Sequence, residues 1–317
     1  MRNRIQANVL VVALVCAPFI GNAMDLSLRK DFIESVENKA TIATRFHIDA
    51  LPAHGDPHSI VEDGDIHMAG RDSVIQLPLV AEIINARKVS APLTFLKNLV
   101  KQEALGKEVD LTGVWRIWFE HLSKTPQVQR ESFPAPKDSG MAHVFELHPV
   151  TSMDSFDCRN SFVPIESGGK QYNGNDAVAA WEEYEKLKAE ITIEGDMVKI
   201  KSGRGTLNYA NFVMQLAAKP NSVGDGAIVS AQVFKVGEAD APVVARKIRM
   251  VFAKDTDPAK KLKGLVKGDR LHVLGVPRVN LHAVLGIVNK LKPNETWKGP
   301  LPYEMIIVAA FPKLDEP

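Results

Sequence analysis

The sequence predicts a mainly β protein made of two tandem five-stranded barrels, each with a short helix between its third and fourth strands. Three observations lead there. Two stretches repeat each other, the segments around them alternate with the two-residue period of strands, and the length suits about two domains. The 317 residues are 45% hydrophobic and 24% charged, close to ordinary globular usage, which excludes a collagen, a coiled coil and wholesale disorder.

The repeat is explicit. Pro92, Leu96, Lys97, Leu99, Val100 and Lys101 match Pro258, Leu262, Lys263, Leu265, Val266 and Lys267 in order and spacing. Each set leads to a glycine, Gly106 or Gly268, and then to a strand-like run. That run ends Gly113-Val114-Trp115-Arg116 in the first copy and Gly275-Val276-Pro277-Arg278 in the second. The loop before the glycine is four residues longer in the first copy. Farther on, Phe145-Glu146-Leu147 answers Tyr303-Glu304-Met305.

Local chemistry shapes these segments. Proline suits the first turn of a helix, where its missing N–H has no partner to lose. Asp257 and Ser90 are the expected N-caps, giving helices over Pro92–Lys101 and Pro258–Lys267. After each glycine the apolar period becomes two, and Gly113 and Gly275 interrupt the strands where a bulge lets a small barrel close. Strands are expected over Ala43–Ala50, Gly64–Gly70, Val74–Ile84, Glu108–Trp118 and His143–Thr151. The second copy places them at Thr206–Ala217, Ala227–Gly237, Val243–Ala253, Asp269–Arg278 and Pro302–Phe311. Three strands, a helix and two strands is the order of the OB-fold, a five-stranded Greek-key barrel.

Between the copies, Ser152–Asn175 is rich in Ser, Gly, Asn and Asp and reads as a linker. An amphipathic helix, Asp176–Ala189, follows, with Trp181 and Tyr184 expected to pack on a barrel, and then an extra strand, Glu190–Lys201. The division is a leader over 1–23, a first OB-like domain over 24–155, linker and helix over 156–189, and a second OB-like domain over 190–317.

Arg2 and Arg4 precede an apolar run from Val9 to Ile20, and Gly21-Asn22-Ala23 follows with small residues where a signal peptidase reads. This is the pattern of a secretory signal peptide, and Val15 before Cys16 disfavours a lipobox. The expectation is a periplasmic or secreted protein beginning at Met24, with no membrane span in the mature chain. Losing the leader removes both arginines and no acid, so the formal charge moves from +1 to −1. Cys158 is then the only cysteine, so burial rather than a disulfide holds the fold.

The first half resembles a family of exported bacterial OB-like domains that is uncharacterised. Asp63-Gly64-Asp65-Ile66-His67, Ala81-Glu82-Ile83, Gly113-Val114-Trp115 and Glu146-Leu147-His148-Pro149-Val150 carry the resemblance. It implies an exported OB-like fold and supplies no activity.

Side chains alternate along a strand, so Asp65 and His67 share one face and Glu146 and His148 share another. With Glu82 they form a candidate polar cluster. Its residue types suit a divalent metal, with His67, Glu146 and His148 as the candidate ligands, or hydrolysis of a phosphodiester. A solvated barrel face or a hydrogen-bonded His–Glu pair accounts for the same residues. His47 adds a sixth group of the same type, His121 at the end of the fourth strand is within reach of the same rim, and His54 and His58 lie in a turn-rich loop where bystander histidines are common. Lys199, Lys201 and Arg204 with Tyr209 and Phe212 interleave cations and aromatics, as single-strand binders do. The near-neutral charge and 7% aromatic content disfavour that partner. No nucleophile elbow, phosphate loop or dinucleotide fingerprint is present. A binding protein with an unknown ligand is therefore expected, with a nuclease-like metal-dependent hydrolase or a structural envelope protein as the alternatives.

Overall fold

The computed structural model describes residues 23–51, 64–100, 104–167, 170–237 and 242–312. The described residues open with β1 (Met24–Arg29) and α1 (Lys30–Val36). The first barrel follows as β2 (Thr41–Ala50), β3 (Ile66–Asp72), β4 (Leu79–Ile83), α2 (Leu93–Val100), β5 (Glu108–His121), the short β6 (Gln127–Val128) and β7 (His143–Met153). Four two-residue strands come next: β8 (Phe156–Asp157), β9 (Glu166–Ser167), β10 (Lys170–Gln171) and β11 (Asn175–Asp176). Then come α3 (Ala177–Lys186) and a hairpin of β12 (Lys188–Glu194) and β13 (Met197–Ser202). The second barrel is β14 (Ala210–Leu216), the short β15 (Asn221–Val223), β16 (Gly226–Phe234), β17 (Ala245–Ala253), α4 (Asp257–Leu262) and β18 (Arg270–Val279). It ends with α5 (Leu281–Val288), β19 (Trp297–Pro300) and β20 (Tyr303–Ala310).

Both barrels have the OB strand order. In the first, β4-β3-β2-β5-β7 closes through the parallel pair β4–β7; in the second, β14-β18-β20-β17-β16 closes through β14–β16, with β17–β20 parallel. The repeated glycines sit at bulges, as expected: register shifts at Gly113 opposite Val150 and at Gly275 opposite Ile307. Each lies against the last strand of its barrel. A Cβ on Gly113 would meet the Leu147 Cβ at 2.9 Å, and one on Gly275 the Phe212 ring at 3.0 Å.

Several expectations need correction. Thr256, not Asp257, caps α4, accepting from the Ala259 N–H. That helix stops at Leu262 rather than Lys267 because Gly264 turns the backbone to a φ of +89°. Ser90 accepts from the Asn160 side chain instead of capping α2. The extra strand over Glu190–Lys201 is a hairpin of two. With β1, β6 and β19 it builds a third sheet in the order β19-β12-β13-β1-β6. Its alternation is regular, Val198 and Ile200 inward and Lys199 and Lys201 outward. The stretch read as a linker is pinned at several points: Cys158, Phe162 and Ile165 are buried, and burial raises the Cys158 thiol to about 12. Trp181 packs edge-on against Phe212 at 5.1 Å, and the Tyr184 hydroxyl donates to the Leu207 carbonyl at 2.6 Å. The expected leader over 1–23 lies, except for Ala23, outside the described residues, as do His54 and His58; β1 begins at Met24, which is buried.

Candidate functional site: a charged seam between two OB barrels

β5 and β18 are the fourth strands of the two barrels, and they face each other. The residue after the repeated Gly-Val-x is arginine in both, and each arginine reaches across the seam. Arg116 donates from Nε to the Pro277 carbonyl at 3.0 Å, and Arg278 donates from Nη1 to the Trp115 carbonyl at 2.9 Å. Pro277 precedes Arg278 and Trp115 precedes Arg116, so the exchange is reciprocal, as a two-fold contact between duplicated units requires. Arg278 also lies 3.5 Å over the Trp115 ring, a cation–π contact.

Each guanidinium is neutralised within its own barrel. Strand pairing puts Arg116 opposite Glu146 and Arg278 opposite Glu304. Arg116 Nη1 pairs with Glu146 Oε2, and Arg278 Nε donates to Glu304 Oε1 at 2.6 Å. All four side chains are at most 1% exposed. An unpaired charge at that depth would be severely destabilising.

The first barrel extends this pair into a larger network. Glu82 on β4 is opposite His67 on β3 and approaches His148 on β7, its Oε2 lying 2.6 Å from His148 Nδ1. That approach is off the N–H direction, so the contact is an ion pair rather than an aligned hydrogen bond. His148 Nε2 meets the Tyr209 hydroxyl of the second barrel at 2.9 Å, while His143 Nε2 reaches Glu146 Oε1 at 3.0 Å. Burial disfavours the charged forms of His148, Glu82 and Glu146, yet their partners outweigh it. His148 is raised to about 10, chiefly by Glu82, and Glu82 is held at about 2 by His148 and His67. Glu146 lies well below the ordinary carboxylate range, against burial, because Arg116 and the two histidines favour its anion.

These facts place the predicted residues. Glu82, Glu146 and His148 converge, but they are buried under the second barrel, so the solvated-face reading fails for them. Asp65 and His67 are partly exposed and form the outer end, His67 Nε2 pairing with Asp65 and lying 3.7 Å from Glu82. Among the described residues, donor atoms within 4.8 Å of one another occur in three sets: Asp65, His67 and Glu82; Glu82, Glu146 and His148; His121, His143 and Glu146. The candidate triad of His67, Glu146 and His148 is not among them, because Glu82 stands between His67 and the other two. Sequence reasoning missed Arg116 and Arg278 as site residues, although both were visible as the ends of the repeat.

The single-strand candidates do not share a surface. Lys199 pairs with Glu194 at 2.5 Å and Lys201 with Asp25 at 3.8 Å, both on the third sheet. Tyr209 and Phe212 are buried, and Arg204 donates to the Glu120 carbonyl at 3.1 Å. No base-stacking platform results.

Strand order and barrel closure define a tandem OB-fold protein with an internal duplication. No family model matches the sequence, and no curated protein matches it. Among solved structures, it is similar to the wild-type single-stranded DNA binding protein from Thermus aquaticus, 12% identical over 87% of this chain and 94% of that one, with a TM-score of 0.21. A deletion mutant of that protein is 13% identical over 88% and 98%, with the same TM-score. The fold assignment rests on the strand order and not on that likeness. Among the described residues, no helix is long and apolar enough to cross a membrane.

Proposed function

We propose that this is an exported binding protein in which the two OB barrels act as one rigid body and hold a ligand on their outer surface. The observation that carries this reading is the reciprocal arginine seam. Its buried cations Arg116, Arg278 and His148 are matched by buried Glu146, Glu304 and Glu82, so the most polar part of the molecule is self-neutralised and walled off from substrate. What remains accessible is concave surface of ligand size. A hollow of about 820 Å³ is lined by Glu120, His121, Lys124 and Arg204, and a second of about 800 Å³ lies on the second barrel. The test is direct. Protein purified from its native compartment should begin at Met24 by N-terminal sequencing and should leave a phosphodiester substrate intact with zinc or manganese added. Its thermal midpoint should rise with at least one ligand class in a broad screen. Metal-dependent turnover would overturn the reading.

A second reading has one observation in its favour. Asp65, His67 and Glu82 bring three ligand atoms together at the partly exposed end of the network, a donor set suited to a divalent ion with coordination positions left for water. Equilibrium dialysis against zinc and manganese decides it: one ion bound in the wild type and lost in His67→Ala supports the site, and no binding removes it.

A further inference from the structure

The second barrel has a groove that no part of the arginine seam touches. It lies between the hairpin of β15 and β16, the end of β17, α4 and the turn after α4, and encloses about 800 Å³. Lys219, Lys254, Lys260 and Lys263 line it, all exposed. Among the described residues, none of the four forms an ion pair with a carboxylate. The one acid on its wall, Asp255, is engaged by Arg159 at 3.1 Å. A smaller hollow of about 410 Å³ shares Gly224 and Lys254 with the groove and runs on toward the first barrel. It adds Arg159, the hydroxyls of Thr41, Thr112 and Thr151, and the Asp225 carboxylate, which accepts from the Thr41 N–H at 2.7 Å and from its hydroxyl at 2.9 Å.

Four like charges gathered in one concavity repel each other until an anion enters, and the walls around them focus that attraction. The cations are lysines, compact point charges that meet phosphate oxygens without the fixed bidentate geometry an arginine fork imposes. Among the described residues, no aromatic ring lines the groove, so they offer nothing on which to stack a base. From these observations we infer that the groove binds a linear anion of closely spaced phosphoryl groups, recognised by its charge alone. The inference rests on the binding-protein reading and names the ligand class for it.

The experiment uses the full mature chain and fluorescently labelled inorganic polyphosphate, followed by anisotropy across a salt series. If the four lysines each neutralise one phosphate, the slope of log K against log salt should be about −3, and about −1 in the triple variant Lys254→Gln/Lys260→Gln/Lys263→Gln. Affinity at low salt should fall about thirtyfold in that variant. The control triple Lys186→Gln/Lys188→Gln/Lys298→Gln lies outside the groove and should bind as the wild type does. Equal losses in the two triples, or none in either, would overturn the groove. Tight binding of oligo(dT) that the groove triple leaves intact, with polyphosphate weak, would overturn it in favour of a nucleic-acid surface elsewhere while the binding-protein reading stands. Failure of every polyanion would overturn the groove as well, and the broad ligand screen would then test the binding reading separately.

Discussion

The two barrels hold the same buried Arg–Glu pair at the same register and surround it differently. In the second barrel the next cross-strand pair between its third and fifth strands is Val251 with Ile306, both fully buried and apolar. The matching positions in the first barrel are Glu82 and His148, one residue beyond the paired Ala81 and Leu147. One copy therefore fills a site with hydrocarbon and the other fills it with an ion pair. The difference teaches that the ion pair is not needed to close a barrel of this kind. It adds a polar link to Tyr209 across the seam and a route outward to His67 and Asp65.

The largest expected effect breaks the symmetry of the arginines. Glu304→Gln removes the carboxylate that Arg278 shares with Arg249, leaving Arg278 fully buried with neutral partners, the amide oxygen, the Trp115 and Lys39 carbonyls and the Trp115 ring, and burial already lowers that guanidinium's pKa. A loss of about 3–5 kcal/mol is expected, a fall in Tm of about 10 °C. Glu146→Gln should cost less, about 2–3 kcal/mol, because Arg116 keeps Glu120 at 3.4 Å and His148 keeps Glu82. Denaturant unfolding of the two variants checks the ranking, and a larger loss in Glu146→Gln would contradict it.

The second prediction converts one barrel into the other. Glu82→Val strands the His148 cation and His148→Ile strands the Glu82 anion, so each should cost about 3 kcal/mol. Glu82→Val with His148→Ile recreates the Val251–Ile306 pair and should return to within about 1 kcal/mol of the wild type, or exceed it. Additive losses in the double-mutant cycle would show that the pair has no coupling of its own.

The same comparison predicts a pH dependence. His148 is raised, so its contribution to stability is complete below its ordinary value of 6.5 and is lost as pH climbs toward about 10. Glu82 is depressed, so its contribution is complete above its ordinary value of 4.5 and is lost as pH falls toward about 2. Wild-type stability should decline between pH 6.5 and 10 with a slope of at most about 1.4 kcal/mol per pH unit from this group. The Val/Ile double variant should lose that part of the decline. Parallel pH profiles for the two proteins would assign the titration elsewhere.

Much of the barrel pair was legible in the sequence, because the marks of the repeat are themselves structural. Gly113 and Gly275 are bulges, and the repeated Arg and Glu face each other across strands. What alternation could not reveal was the covering of a face. It put Glu146 and His148 on one side of β7, but Tyr209 and Pro277, far along the chain, bury that side. The third sheet was illegible for a related reason. β1 pairs with β13 and β12 with β19 over long separations, and β19, Trp297–Pro300, lacks the apolar alternation that announces a strand. The end of α4 was misjudged because Leu265 and Val266 continue the helical period past Gly264, and there the backbone conformation decides.

The smallest expected effect separates the two bulge glycines. A methyl on Gly113 would press on the Leu147 Cβ at 2.9 Å and the Pro149 carbonyl at 3.2 Å, both fixed to the backbone of β7. At Gly275 the two nearest atoms are the edge of the Phe212 ring at 3.0 Å and the flexible end of Met305 at 3.2 Å, with the Ile306 carbonyl farther off at 3.3 Å. A side-chain end can rotate away where a strand backbone cannot, so Gly113→Ala should cost about 2 kcal/mol and Gly275→Ala about 1 kcal/mol. The Gly113 methyl presses the fourth strand away from the fifth, and Gly113 lies three residues before Arg116. Strain there should loosen the reciprocal bond from Arg116 to Pro277 and speed amide exchange along β5, a readout that lost packing by itself would leave unchanged. Equal costs, with no change in exchange on β5, would show that the bulge and the arginine seam are independent features of the duplication.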